Sequence, residues 1–329
     1  MDCKDLYLMK LKQKRMDLLK ELCSIHAPSG EEKLMKDFVL GYVHREMSGW
    51  AQKPEIVSEG IHDNLILVFG QPKIAIFCHM DSVGFTLQYN KRLIPVGSPD
   101  DRLPTRLKGV DTHGQISEVN CLLLEEESGN TFLEIEDTTN FERGTSFTFA
   151  SNYTEDGDII RTPFLDNRAG VWLCLNLARK VENTIIVFTT YEEHGGGSVE
   201  FLAPMIYRQY GIRESLICDM TWSTQHIVLG SGPVISLRDK YIPRKLFLDK
   251  ILKALREEGI SFQLEVESSG SSDGGYLQKS SVPMDWCFIG ACVDNIHSNS
   301  EQINSKDLYQ TLELYYVLIK RLNQDEIKL

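Results

Sequence analysis

The chain has 329 residues, 42% hydrophobic and 25% charged, enough for one large domain or two and ordinary for a soluble globular protein. Its formal net charge of −12 argues against nonspecific nucleic-acid binding, which needs a basic face, and no run of about eighteen apolar residues offers a membrane span. The cysteines lie scattered without C-x-x-C pairs, and Cys78, Cys218 and Cys287 fall inside apolar runs. They read as buried thiols in a reducing compartment, and with no apolar leader at the N-terminus the expected location is the cytoplasm.

Leu6, Met9, Leu11, Met16, Leu19 and Leu22 recur at roughly helical spacing, which predicts an amphipathic helix over 4–23. Ser29 and Glu32 have the S-x-x-E spacing of a capping box, so a second helix is expected to start there. Two β-runs follow at 64–69 and 73–78, the second nearly all apolar, as in a strand buried on both faces. It runs into His79-Met80-Asp81-Ser82-Val83-Gly84. From about 92 to 159 the pattern changes to short alternating runs split by Gly and Asp, the signature of a small all-β unit. After Asp166 an α/β rhythm resumes, with strands at 184–191, 216–220 and near Phe288, and helices at about 197–207, 245–258 and 306–322. The expected organisation is a catalytic α/β domain of residues 1–91 and 160–329, interrupted by a β-rich insert, 92–159, that serves self-association.

Asp166, in Phe164-Leu165-Asp166-Asn167-Arg168-Ala169-Gly170, stands at a strand-to-helix junction, where Asp is also a preferred helix cap. Its company points elsewhere. The apolar strands of the α/β part lead into His79 and Asp81, into Glu192-Glu193-His194-Gly195, into Asp219, and through Cys292-Val293-Asp294-Asn295 to His297. Ligands of open α/β sheets bind at the carboxyl ends of strands, so these groups converge on one crevice. Imidazole and carboxylate without thiolate suit two divalent ions, zinc first, with cobalt or manganese in its place. The expected roles are these: Asp166 bridges, His79 and Asp219 complete one ion, and Glu193 and His297 complete the other. Asp81 would orient the His79 ring, and Glu192 would act as general base on a metal-bridging water.

The blocks His79–Gly84, Leu165–Gly170, Glu192–Gly195, Cys218-Asp219 and Ile296-His297-Ser298 resemble those of metallopeptidase family forty-two, the glutamyl, deblocking and tetrahedral aminopeptidases. The likeness extends to Ala27-Pro28-Ser29-Gly30, Gly230-Ser231-Gly232-Pro233 and Ser272-Asp273-Gly274, and so runs through essentially the whole chain. It implies a phosphorylase/hydrolase-like three-layer α/β catalytic domain with the β-rich insert, two zinc or cobalt ions, and the same ligand roles. It also implies removal of N-terminal residues from short peptides, assembly into a homo-oligomer (a dodecamer), and a cis peptide bond after Asp166. The sequence departs from the family pattern where Asp294-Asn295 replaces Arg-Tyr, where Ser272-Asp273-Gly274-Gly275 replaces Thr-Asp-Ala-Gly, and at His194. Two alternatives fit less well. A dinuclear dipeptidase, carboxypeptidase or amidohydrolase of family twenty places its extra domain between the fourth and last ligands, whereas here the β-rich unit lies between His79 and Asp166. A metal-free binding protein on the same fold has no need of all six metal-and-base residues.

Overall fold

The computed structural model describes residues 15–100 and 105–324. Within them the first helix, α1, runs over 15–24; the earlier part of the expected helix lies outside the described residues. Among the described residues no helix is long and apolar enough to cross a membrane.

An eight-stranded mixed sheet carries the α/β part. Its order is β1 (Glu55–Val57), β2 (Leu65–Val68), β12 (Thr184–Thr189), β3 (Ile74–His79), β13 (Glu214–Cys218), β17 (Asp285–Gly290), β15 (Val234–Arg238) and β16 (Gln263–Val266). The four central strands β12, β3, β13 and β17 are mutually parallel. Central parallel strands are covered on both faces, which is why β3 and β12 are apolar and buried throughout. Successive side chains enter opposite cores. Ile74, Ile76 and Cys78 join one cluster with Ile186, Phe188 and Leu216; Ala75 and Phe77 join the other with Ile185, Val187 and Ile217.

Helices α2 (Lys33–Glu46), α3 (Leu165–Leu177), α5 (Lys245–Glu257) and α7 (Ser305–Asn323) supply the first core. Helices α4 (Val199–Tyr210) and α6 (Asp273–Lys279) supply the second. All thirteen residues of α3 are buried, so the start of this helix, where Asp166 sits, is held from every side.

A separate antiparallel sheet has the order β5 (Leu93–Val96), β4 (Gly84–Leu87), β9 (Ser146–Phe149), β6 (Arg106–Val110), β7 (Ile116–Glu125), β8 (Thr131–Ile135), and it packs its own core of Phe85, Leu107, Phe147 and Phe149. Its first strand leaves the loop after His79 directly, eight residues before the β-rich pattern becomes legible at 92 (92 − 84 = 8). The hairpin β10 (Thr154–Asp156) and β11 (Ile159–Thr162) belongs instead to a five-stranded sheet with β14 (Thr221–Trp222), β18 (Cys292–Asp294) and β19 (Glu301–Asn304). That pairing joins residues some 140 apart, such as Ile160 and Ile303, and no local pattern announces it.

The second helix is where the sequence places it, but the capping box does not form. No side chain caps α2. The Ser29 hydroxyl donates to Asp81 Oδ2 at 2.5 Å, and Glu32 accepts the amides of Gly30 (2.9 Å) and Tyr191 (3.1 Å). Both side chains are taken up by the loops around the strand ends.

Candidate metal centre

Each candidate ligand is placed by a strand or helix end. His79 is the last residue of β3, and Asp81 follows two residues later. Glu192 and Glu193 lie in the turn after β12, and Asp219 directly follows β13. His297 follows β18 with φ of +63°, and Asp166 opens α3 in a non-helical conformation with a cis bond to Asn167. The Asn167 side chain bridges the elements, donating to the Cys218 carbonyl at 2.8 Å and accepting the Gly170 amide at 3.0 Å. Asp219 is fixed from behind by Gly290, where an added Cβ would lie 1.6 Å from its carbonyl oxygen.

Asp166 stands between two groups. Its Oδ1 lies 3.1 Å from His79 Nε2, which is 3.3 Å from Asp219 Oδ1. Its Oδ2 lies 3.2 Å from His297 Nε2, which is 3.1 Å from Glu193 Oε2. Both triads, His79–Asp166–Asp219 and Asp166–Glu193–His297, bring one ligand atom from each residue within 4.8 Å of the others. Glu192 belongs to neither triad but lines the same cavity.

Asp81 is fully buried and collects donors from three segments. It accepts the amides of Glu192 (3.2 Å) and Glu193 (3.0 Å) and the Ser29 hydroxyl, and it lies 3.4 Å from His79 Nδ1. That last spacing is long for a hydrogen bond, so Asp81 acts on the ring chiefly through charge. Burial opposes its ionisation, but His79, Ser29 and the Glu193 amide outweigh that and hold its pKa below the ordinary value.

Charge dominates the site. Burial alone would neutralise the imidazoles, yet Asp219, Asp166 and Asp81 hold the His79 pKa well above its ordinary value, and Glu193 and Asp166 raise that of His297 to about 12. Burial, then the neighbouring carboxylates, push Glu192 well above the carboxylate range. Five carboxylates (Asp81, Asp166, Glu192, Glu193, Asp219) thus face two imidazoles, an excess of negative charge that calls for cations. Glu193 Oε1 is buried with no hydrogen-bond partner among the described residues. Oxygen and imidazole donors without thiolate fit zinc, cobalt or manganese.

Residues 132–314 match the family model described as M42 glutamyl aminopeptidase, which spans more than half of the chain. The chain belongs to the M42 family. Several solved structures share its fold. An aminopeptidase from the archaeon Desulfurococcus kamchatkensis is 21% identical, with a TM-score of 0.83, covering 96% of this chain and 98% of that one. A TET aminopeptidase from a marine sediment thaumarchaeote is 17% identical, with a TM-score of 0.79 and coverages of 95% and 99%. The TET1 peptidase of Pyrococcus horikoshii is 21% identical, with a TM-score of 0.77 and coverages of 93% and 99%.

The structure brings all seven residues singled out from the sequence into this one region. Sequence reasoning left out the residues that hold them. Glu301, 1% exposed, accepts the amides of both Asp166 (3.1 Å) and His297 (2.7 Å). Burial and then Asp166 push its pKa up to about 8. Ser272 donates to Asp219 Oδ2 at 2.6 Å, and the adjacent Asp273 accepts from Thr189 at 2.6 Å. The motif around Ser272 and Asp273 was visible but gave no role; Glu301, inside a short polar strand, gave no signal.

Proposed function

We propose that this M42 chain is a dinuclear metallo-aminopeptidase that removes N-terminal residues from short peptides. The observation that carries the reading is Asp166, whose two oxygens face two separate histidine–carboxylate groups. Held between them, it serves as the shared ligand, with His79 and Asp219 on one side and Glu193 and His297 on the other. Two divalent cations, zinc or in its place cobalt or manganese, supply acidification of water and polarisation of the scissile carbonyl when bound.

The protein's own groups do the rest. Glu192, free of both triads yet lining the cavity, takes a proton from the attacking water on its carboxylate and passes it to the leaving amine. Asp81 fixes the Glu192-Glu193 backbone and biases the His79 ring through charge. Glu301 holds the main chain of Asp166 and His297, which keeps the two halves in register.

A panel of aminoacyl-chromogenic substrates, free and N-acetylated, with zinc, cobalt and manganese tests this. Cleavage of the acetylated compounds alone would refute an aminopeptidase.

The segment 92–159 is proposed as an inserted domain for self-association, because it supplies no candidate metal ligand or base; it touches the constellation only from behind, where the Ser98 hydroxyl (3.0 Å) and carbonyl (3.2 Å) meet His297 Nδ1 and the Asp100 amide donates to the His297 carbonyl at 2.9 Å. The Pyrococcus horikoshii TET1 peptidase can assemble into a tetrahedron or a large octahedral shell, and a solved PhTET1 structure holds a dodecamer, which supports a homo-oligomer, a dodecamer, for this chain. Deleting the segment and closing the gap with a Gly/Ser linker should yield smaller particles by light scattering. Unchanged size would place the interface elsewhere. A cytoplasmic setting accords with the seven cysteines among the described residues, which are all buried and free.

A further inference from the structure

The cavity that opens on Glu192, Asp219 and His297 extends away from them between β14, β15 and β16. Its lining includes the apolar side chains of Met220, Phe288 and Trp222, the last 47% exposed. Beyond the candidate ligands and Glu192, its acidic lining residues are Asp239, Glu265 and Glu267. Asp239 and Glu265 are only 8% and 5% exposed. Among the described residues no lysine or arginine forms an ion pair with any of the three, and none lines the cavity. Asp239 Oδ1 accepts the Tyr241 amide at 2.5 Å, and no other described residue donates to its Oδ2. Glu265 accepts from the Thr221 hydroxyl. Arg238 aims its Nε at the carbonyls of Asp239 (3.3 Å) and Glu267 (3.2 Å) rather than at the carboxylates.

An apolar sleeve with a buried acidic end matches a long aliphatic stem that carries a cation at its tip. We propose that this cavity selects peptides with lysine or arginine at the N-terminus, with Asp239, Glu265 and Glu267 receiving the side-chain cation. The inference rests on the aminopeptidase reading above and names its substrate class. Burial, with the charge of Glu265, raises the pKa of Asp239 to about 6, and burial raises that of Glu265; an entering cation relieves that strain. A glutamate at the same place would meet three acids and no base, so the preference is opposite in charge to the residue in the family's description. Trp222 offers its ring to the aliphatic stem.

The full-length protein, supplied with zinc, cobalt or manganese, should be assayed on lysyl, arginyl, norleucyl, leucyl and glutamyl chromogenic amides. Norleucine copies the lysine stem without its charge. We expect kcat/KM for the lysyl substrate to exceed that for norleucyl by about tenfold or more, with glutamyl the poorest. Asp239→Asn, which keeps the acceptor for Tyr241, should lower the lysyl-to-norleucyl ratio by about 10- to 100-fold. Glu267→Lys, at an exposed position that tolerates substitution, should raise the glutamyl-to-lysyl ratio. Norleucyl or glutamyl turnover equal to lysyl in the parent protein would overturn the proposal. So would variants that depress every substrate alike, since the acids would then serve the α-ammonium or the fold. If no free-amino substrate is cleaved at all, the aminopeptidase reading fails separately. Calorimetric binding of lysinamide against norleucinamide then decides the cavity: tighter lysinamide binding keeps its selectivity, and equal binding removes it.

Discussion

Replacing Asp81 by asparagine conserves shape and removes half of the acceptor capacity at the point where three segments meet. Asp81 Oδ1 takes the Glu192 amide at 3.2 Å and Oδ2 takes the Glu193 amide at 3.0 Å together with the Ser29 hydroxyl. Whichever way an asparagine amide turns, its NH2 group meets one backbone N–H head-on, at Glu192 or at Glu193. The loss of one hydrogen bond to a charged acceptor, plus a buried donor left unpaired, costs about 3 kcal/mol. At about 2 °C per kcal/mol for a chain of this size, the melting temperature should fall by about 6 °C. Because the displaced segment carries Glu192 and Glu193, cation affinity should also fall by about 10- to 100-fold. Scanning calorimetry with a chelator isolates the first effect, and metal titration of the refolded variant measures the second. Ser29→Ala, which removes a donor that can rotate away, should cost only about 1 kcal/mol. If Asp81→Asn melts within about 1 °C of the parent and binds cations as tightly, the convergence on Asp81 does not hold the site.

Asp166→Asn should abolish binding of both cations, read by elemental analysis, because one side chain serves both triads. Glu192→Gln should keep both cations while kcat drops about 10²- to 10⁴-fold; loss of metal instead would exchange its role with that of Glu193. Gly290→Ala should loosen cation binding by driving the Asp219 carbonyl outward, with little change in secondary structure by circular dichroism. Lys108, buried beside Arg168, has its pKa lowered to about 8, burial being the larger cause. Between about 8 and the unfolded value of about 10.4, the unfolded chain holds a proton that the folded chain has released, so stability rises with pH across that window by about 2–3 kcal/mol. Lys108→Met should flatten that rise in urea titrations; an unchanged slope would contradict the depressed pKa.

The strand ends were legible because two signals coincide there. A run such as Ile74–Cys78 is apolar on both faces only when buried in a parallel sheet, and the polar residues that follow have no reason to be there except the crevice. Helices over 245–258 and 306–322 were equally clear, since α5 and α7 show one apolar stripe each, and they occupy Lys245–Glu257 and Ser305–Asn323. The capping box at Ser29 and Glu32 misled because its spacing is a local signal and both side chains are claimed by partners from distant segments, Asp81 and the Tyr191 amide. Glu301 was invisible for the complementary reason: a carboxylate that accepts two backbone amides from remote segments leaves no periodic or motif trace. The small strands β10 and β11 could not be assigned to their sheet, because their partner β19 comes about 140 residues later.

The order in which these pieces appear during synthesis has a consequence of its own. His79 and His297 are 297 − 79 = 218 residues apart, and Glu301, which grips the main chain beside Asp166 and His297, comes later still. At about 5–20 residues per second, some 10–40 s separate the emergence of the first candidate ligand from that of the last. Throughout that interval the growing chain exposes His79, Asp166 and the acidic turn without the C-terminal strands that close the second half of the site. Until those strands are made, the candidate triad of the second half, Asp166–Glu193–His297, is incomplete. A chain truncated before Glu301 lacks the carboxylate that accepts the Asp166 and His297 amides, and so lacks the grip that joins the two halves.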